Sequence, residues 1–223
     1  MELYKKQPIN YNDNIPIFCK TNEYIQNYDY IAQTHLKSIA IGNGNPWDNC
    51  YITNFMNESF AKYIKQYTIE TSDVLDAGVA LGEIFDYVNV NKYGVDISID
   101  YLRITQNKNI NVCLAMLEDL PYNDSIFDMV LCKNVLEHVL DLNAVIKEFD
   151  RILKPNGYIL LQVPYNQSLK DYVTSTEFKY VHLWRFDEWD LMMLFGKIFK
   201  FKYIAHEILN DYGVSIINIL FQK

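Results

Sequence analysis

The chain has 223 residues, 50% of them hydrophobic and 22% charged, which is enough apolar side chain for a full core and excludes a disordered tail. Its formal charge of −8 argues against a nucleic-acid partner, because phosphates are held by clustered Lys and Arg, and leaves a small-molecule substrate as the expectation. Cys19, Cys50, Cys113 and Cys132 form no CxxC pair and read as buried, reduced thiols; with neither an apolar signal block nor a membrane-length apolar run, a cytoplasmic protein without membrane attachment is expected.

Residues 1–70 carry three prolines, Asn-rich turns and two helix-like segments, Tyr24–Ile39 and Ile52–Tyr67, and read as a helical cap or lid on a core spanning 71–223. From Asp73 onward the pattern changes to short apolar runs: "DVLDA", "KYGVDI", "NVCLAM", "FDMVLCK" and "GYILLQVP". Runs apolar on both faces suit parallel strands covered by helices. Between the fourth and fifth runs, Val135 to Leu153 places apolar residues at three- and four-residue spacings, which predicts one crossover helix ending at "KPNG". A loop over Tyr165–Tyr180 and a helix over Asp187–Phe195 follow. "KFKYIAHEIL" and "GVSIINILFQ", separated by "NDYG", read as an antiparallel hairpin at one sheet edge. The expected fold class is α/β, a seven-stranded, doubly wound, mostly parallel sheet with an antiparallel C-terminal hairpin.

In such a sheet the first βα turn lies at the ligand crevice, and here it is "VLDAGVALG". The dinucleotide pattern GxGxxG, counted from Gly78, requires glycine at 80 and 83, where Ala80 and Glu83 stand; a pyrophosphate cradle is therefore disfavoured. A second acid, Asp96, closes the next strand twenty positions after Asp76, where a carboxylate can accept from two ribose hydroxyls; its alternative is an N-cap for the segment after Ser98.

With Asp76, Gly78, Ala80 and Gly82 at its four positions, the turn resembles the first motif, (D/E)xGxGxG, of class I S-adenosylmethionine-dependent methyltransferases, and the resemblance extends over 73–164 through "LEDLPYNDSIFDMVLCKNVLEHVLDLNAVIKEFDRILKPNGYILLQVP". Ala80 departs from the motif, and its Cβ is expected to be tolerated with a negative φ. The resemblance implies a Rossmann-like fold, S-adenosylmethionine as cofactor, Asp76 near the methionyl ammonium, Gly78 allowing backbone to approach the ligand, and a binding set of Asp76, Gly78, Ala80, Gly82, Asp96, Ile97, Met116, Leu117 and Lys133. Met116 stands where the family commonly has an acid for the adenine amino group, leaving apolar contact and the Leu117 N–H, with Glu118 and Asp119 as substitutes.

Methyl transfer to a hydroxyl gains from a base near neutral pKa, and His138 in "NVLEHV" and His182 in "YVHLWRF" are the catalytic candidates. The "HLWRF" phrase resembles one found in sugar and small-metabolite methyltransferases, which implies O-methylation of a small polar or sugar-derived acceptor. His35 and Trp47 are candidates for closing the cap over it. Dispersed histidines and the lack of an HxxxH spacing indicate no metal site. The rival reading is an inactive, methyltransferase-like binding subunit. Oligomeric state is left open.

Overall fold

The computed structural model describes residues 2–43, 50–165, 182–211 and 214–223. A helical N-terminal region and nine strands arise from these residues. Strands β1 (Asn10–Asn12) and β2 (Ile15–Ile17) come first, then helices α1 (Glu23–Ala40) and α2 (Cys50–Tyr67). The alternating part comprises β3 (Asp73–Ala77), β4 (Asn91–Asp96), α3 (Ile99–Thr105), β5 (Asn111–Leu114), β6 (Phe127–Lys133), α4 (Leu142–Ile152) and β7 (Leu153–Pro164). It closes with α5 (Glu188–Leu191), β8 (Lys202–Asp211) and β9 (Val214–Gln222).

The sheet runs β1-β2-β5-β4-β3-β6-β7-β9-β8. Strands β3 to β7 are mutually parallel, and β9 inserts antiparallel between β7 and β8. The order reverses beside β3, which pairs with β4 on one side and β6 on the other, so the crevice expected of a doubly wound sheet opens above its carboxyl end. The five parallel strands and the hairpin agree with the seven strands expected. The β1–β2 pair is additional: Ile17 of β2 joins Leu114 of β5 in parallel.

Strand alternation divides the core. Leu75, Val130 and Ile159 face α4, α5 and the π-helical segment Met192–Ile198 that continues α5, through Val145, Phe149, Leu191 and Phe195. Val74, Leu131 and Leu160 face α2 and α3 through Phe60, Ile64 and Leu102. Phe60 and Ile64 are fully buried, and each such burial stabilises by about 1.5–3 kcal/mol, so α2 is a packed layer of the sheet and not only a cover for it.

Two local expectations are corrected and a third is refined. The stripe from Val135 to Leu153 is not one helix: Leu136–His138 form a 3₁₀ turn, and α4 starts at Leu142, where the Asp141 side chain accepts from Ala144 N–H at 3.1 Å. α4 does end beside "KPNG", at Ile152, but β7 begins directly at Leu153, and Lys154 joins Asp73 and Asp128 at 3.1 and 2.8 Å, stapling the starts of β3 and β6. The crossovers after β3 and β5 are single 3₁₀ turns, Glu83–Asp86 and Leu117–Asp119, rather than helices. The loop expected over Tyr165–Tyr180 lies, beyond Tyr165, outside the described residues. No helix among the described residues is long and apolar enough to cross a membrane.

Candidate active site

The turn after β3 is left-handed at three positions, with φ of 91° at Gly78, 42° at Ala80 and 65° at Gly82. Four of its amide hydrogens are consumed locally. Gly78 and Val79 donate to Val95 O at 2.8 and 3.1 Å, Gly82 donates to Val79 O at 2.7 Å, and Ala80 donates to Asp96 Oδ2 at 2.9 Å. A nest for phosphate needs converging N–H groups that point outward, so this turn is unsuited to a diphosphate, as the glycine spacing predicts.

Two of its residues carry constraints that the sequence does not display. A Cβ on Gly78 would clash with Val135 Cγ2, so the packing of Val135 and the positive φ by themselves require glycine there. Ala80 adopts positive φ, contrary to the expected negative value, which costs an L-residue about 1–2 kcal/mol. Two hydrogen bonds of about 0.5–1.5 kcal/mol each offset that cost: the one from Ala80 N–H to Asp96, and one from Thr105 Oγ1 to Ala80 O at 2.5 Å.

Register brings the charged residues together. Asp76 lies opposite Gly94 on β4 and Leu131 on β6; Asp96 and Lys133 stand two residues further along each strand, on the same face. Asp76 is only 5% exposed, and burial pushes its carboxyl up to about 7, with Lys133 pulling down and Asp96 pushing up. Asp96 is also raised by burial, opposed by the N–H groups of Ser98, Ala80 and Ile97. Its Oδ1 accepts from Ser98 N–H at 2.9 Å, so the acid organises the start of α3 as well as the turn. Each carboxylate oxygen retains acceptor capacity for a ligand.

Met116, half-buried, precedes the 3₁₀ turn begun by buried Leu117. Both neighbouring acids are engaged within the protein. Glu118 Oε1 accepts from Leu140 N–H at 2.9 Å and Asp141 N–H at 3.3 Å, while Asp119 pairs with Lys6 at 2.6 Å.

His138 and His182 converge. Their ring centroids are 4.9 Å apart in an edge-on arrangement, and His182 N–H donates to His138 Nδ1 at 3.3 Å. Glu137 joins them, its Oε1 lying 3.8 Å from His138 Nε2. It is 1% exposed, and burial pushes it up to about 8 while Lys133 pulls it down. The backbone under this cluster is held by Trp184, whose N–H bonds Glu137 O at 3.0 Å and whose indole N–H bonds Val139 O at 2.6 Å.

Tyr24 and Tyr28 on α1 complete the site and were not singled out from the sequence. Tyr24 donates to His138 O at 3.1 Å, and Tyr28 packs its ring 5.8 Å from that of His138. Both phenols are raised by burial and next by neighbours that include Glu118 and Asp96 for Tyr24, and Tyr24, Glu137 and Asp96 for Tyr28. Their spacing of four places them on one helical face, the signal that could have found them. His35 bonds Tyr101 OH at 2.7 Å through Nδ1, linking α1 to α3; Trp47 lies outside the described residues.

A family profile described as "Methyltransferase domain" matches residues 75–161. An uncharacterized protein of Methanocaldococcus jannaschii is 37% identical over 110 residues, 49% of this chain and 48% of that protein, so the chain spans about half the length of such relatives. A ubiquinone biosynthesis O-methyltransferase of Coxiella burnetii is 28% identical over 66% of this chain and 67% of its own. A tRNA (carboxymethyluridine(34)-5-O)-methyltransferase of Arabidopsis thaliana is 30% identical over 59% of this chain and 36% of its own. Among solved structures, an S-adenosylmethionine-dependent methyltransferase of Thermotoga maritima superposes with a TM-score of 0.68 over 90% of this chain and 100% of its own, at 17% identity, and shares the fold.

Proposed function

We propose that the chain is a class I S-adenosylmethionine-dependent methyltransferase that methylates a hydroxyl of a small polar or sugar-derived metabolite. The observation that carries the donor half is the pair Asp76 and Asp96 above a turn in which the amide hydrogens of Gly78, Val79, Ala80 and Gly82 are already bonded. Two desolvated acids, with Lys133 as the cationic neighbour of Asp76, suit a positively charged nucleoside without phosphate, and the chemistry of this donor set fits S-adenosylmethionine.

Asp76 would hold the ammonium, Asp96 with the Ile97 backbone the ribose hydroxyls, and Met116 and Leu117 the faces of the base. Gly78, Ala80 and Gly82 shape the turn, and Lys133 tempers Asp76. When bound, the donor supplies a methyl group activated by sulfonium charge. The protein's own task is then alignment and exclusion of water, to which Tyr24 and Tyr28 contribute from α1. The imidazole of His138 or His182 receives the hydroxyl proton. The ubiquinone relative, an O-methyltransferase matching two thirds of both chains, supports the acceptor class.

Calorimetry with S-adenosylmethionine and with NADH, followed by S-adenosylhomocysteine release across a panel of hydroxylated metabolites and uridine-containing RNA, tests the proposal. Donor binding, loss of binding in Asp96→Asn, and turnover with a small hydroxyl acceptor are expected. Donor binding without turnover on any acceptor favours a binding subunit. Turnover on RNA alone, the substrate class named for the Arabidopsis relative, overturns the acceptor assignment.

A further inference from the structure

The three side chains at the acceptor end come from two places, Glu137 and His138 on the turn after β6 and His182 where the chain returns beyond β7, yet each offers one ligand atom within 4.8 Å of the others. A second observation points to an occupant. Glu137 is 1% exposed, and its Oε2 has no hydrogen-bond partner among the described residues. A buried carboxylate oxygen without a partner is costly, and proteins satisfy such groups with a donor or a cation.

We propose that Glu137, His138 and His182 bind one first-row divalent cation of the zinc class, through two imidazole nitrogens and one carboxylate. Imidazole with carboxylate is a donor set for zinc, cobalt or iron rather than calcium. Three protein ligands with a further position open is the catalytic arrangement, whereas closed structural sites use four. Ligand atoms around such an ion stand roughly 3.3–3.5 Å apart, given metal–ligand lengths of about 2.0–2.2 Å, so the cluster closes on an ion by side-chain movement of about 1 Å.

The backbone is already fixed for this. The carbonyls of Glu137, His138 and Val139 accept from Trp184 N–H, Tyr24 OH and the Trp184 indole in turn, which restrains the turn without occupying the ligand atoms. Coordination through His138 Nε2 requires the ring proton on Nδ1, which gives up the contact from His182 N–H; at 3.3 Å that contact is at the long end of the range. The inference concerns cation affinity alone and is independent of the methyl-transfer reading. Where it holds, an acceptor hydroxyl at the open position would be acidified by the ion and would release its proton to solvent, in place of transfer to His138 or His182.

The test uses the full chain, dialysed against a chelator and titrated with Co²⁺ by visible absorption and with Zn²⁺ by calorimetry. Saturation at one equivalent is expected, with visible bands of a low-coordinate cobalt site. Glu137→Gln and His182→Gln should each weaken binding by about tenfold or more. His182 is half-buried, so His182→Gln carries the test if loss of the buried acid prevents folding. Absence of a saturable equivalent in the unaltered chain overturns the proposal, as does unchanged affinity in a folded His182→Gln protein.

Discussion

The protonation of Asp76 gives a signed and quantitative test of the donor site. An unfolded aspartate titrates near 3.8, whereas burial holds this one at about 7. Between those values the folded chain retains a proton that the unfolded chain has released, so raising the pH favours unfolding, and the stability present below pH 3.8 is lost as pH rises through 7. About three pH units at about 1.4 kcal/mol each amount to a loss of about 4 kcal/mol. Asp76→Asn imitates the protonated form and lacks the titration. Urea unfolding of both proteins from pH 4 to pH 8 should therefore show the unaltered chain losing about 4 kcal/mol relative to the variant, with a level difference above pH 7. The same carboxylate must be ionised to attract the donor's ammonium. Affinity for S-adenosylmethionine should rise about tenfold from pH 6 to pH 8 in the unaltered chain, and be weak and flat in the variant. A stability difference independent of pH refutes the burial argument, and equal donor affinity in both proteins refutes the role of Asp76.

Other outcomes follow from the turn and the sheet. Gly78→Ala should cost about 2–5 kcal/mol in urea unfolding, combining positive φ with the clash on Val135, and the part due to the clash, about 1–3 kcal/mol, should vanish in a Val135→Ala background. Thr105→Val removes the hydroxyl bonded to Ala80 O and Tyr101 O, so a loss of about 1–2 kcal/mol is expected together with weaker donor binding by calorimetry. Asp141→Ala should cost about 1 kcal/mol in thermal unfolding through the cap of α4, while leaving donor affinity unchanged.

The parallel strands were legible because both faces of each are buried: "DVLDA" and "FDMVLCK" coincide with β3 and β6 to the residue. β1 and β2, three residues each among polar neighbours, offer no alternation to read. The start of α4 was obscured because Val135, Leu136 and Val139 continue its apolar spacing across a 3₁₀ turn, although Asp141 carried the cap signal. Asp76 and Asp96 could be located from strand ends and a fixed interval. The left-handed Ala80 could not, since its anchor Thr105 is 25 positions away. Nor could the meeting of His138 with His182, 44 positions apart, which depends on where the chain re-enters after β7.

The buried amides beneath α2 bear on how this chain can be shortened. Gln162 of β7 donates to Asn218 of β9 at 2.7 Å, Asn218 donates to Ser59 of α2 at 2.7 Å, and Ser59 donates to Glu207 of β8 at 3.0 Å. Gln162 also takes the backbone N–H of Asn134, two residues ahead of Leu136 at the head of the histidine turn. A fragment beginning at residue 71 would strip Ser59 from this relay and leave Asn218 without its acceptor among β9's apolar neighbours, so minimal versions of the catalytic unit have to keep α2, and any graft of a foreign lid has to join upstream of it.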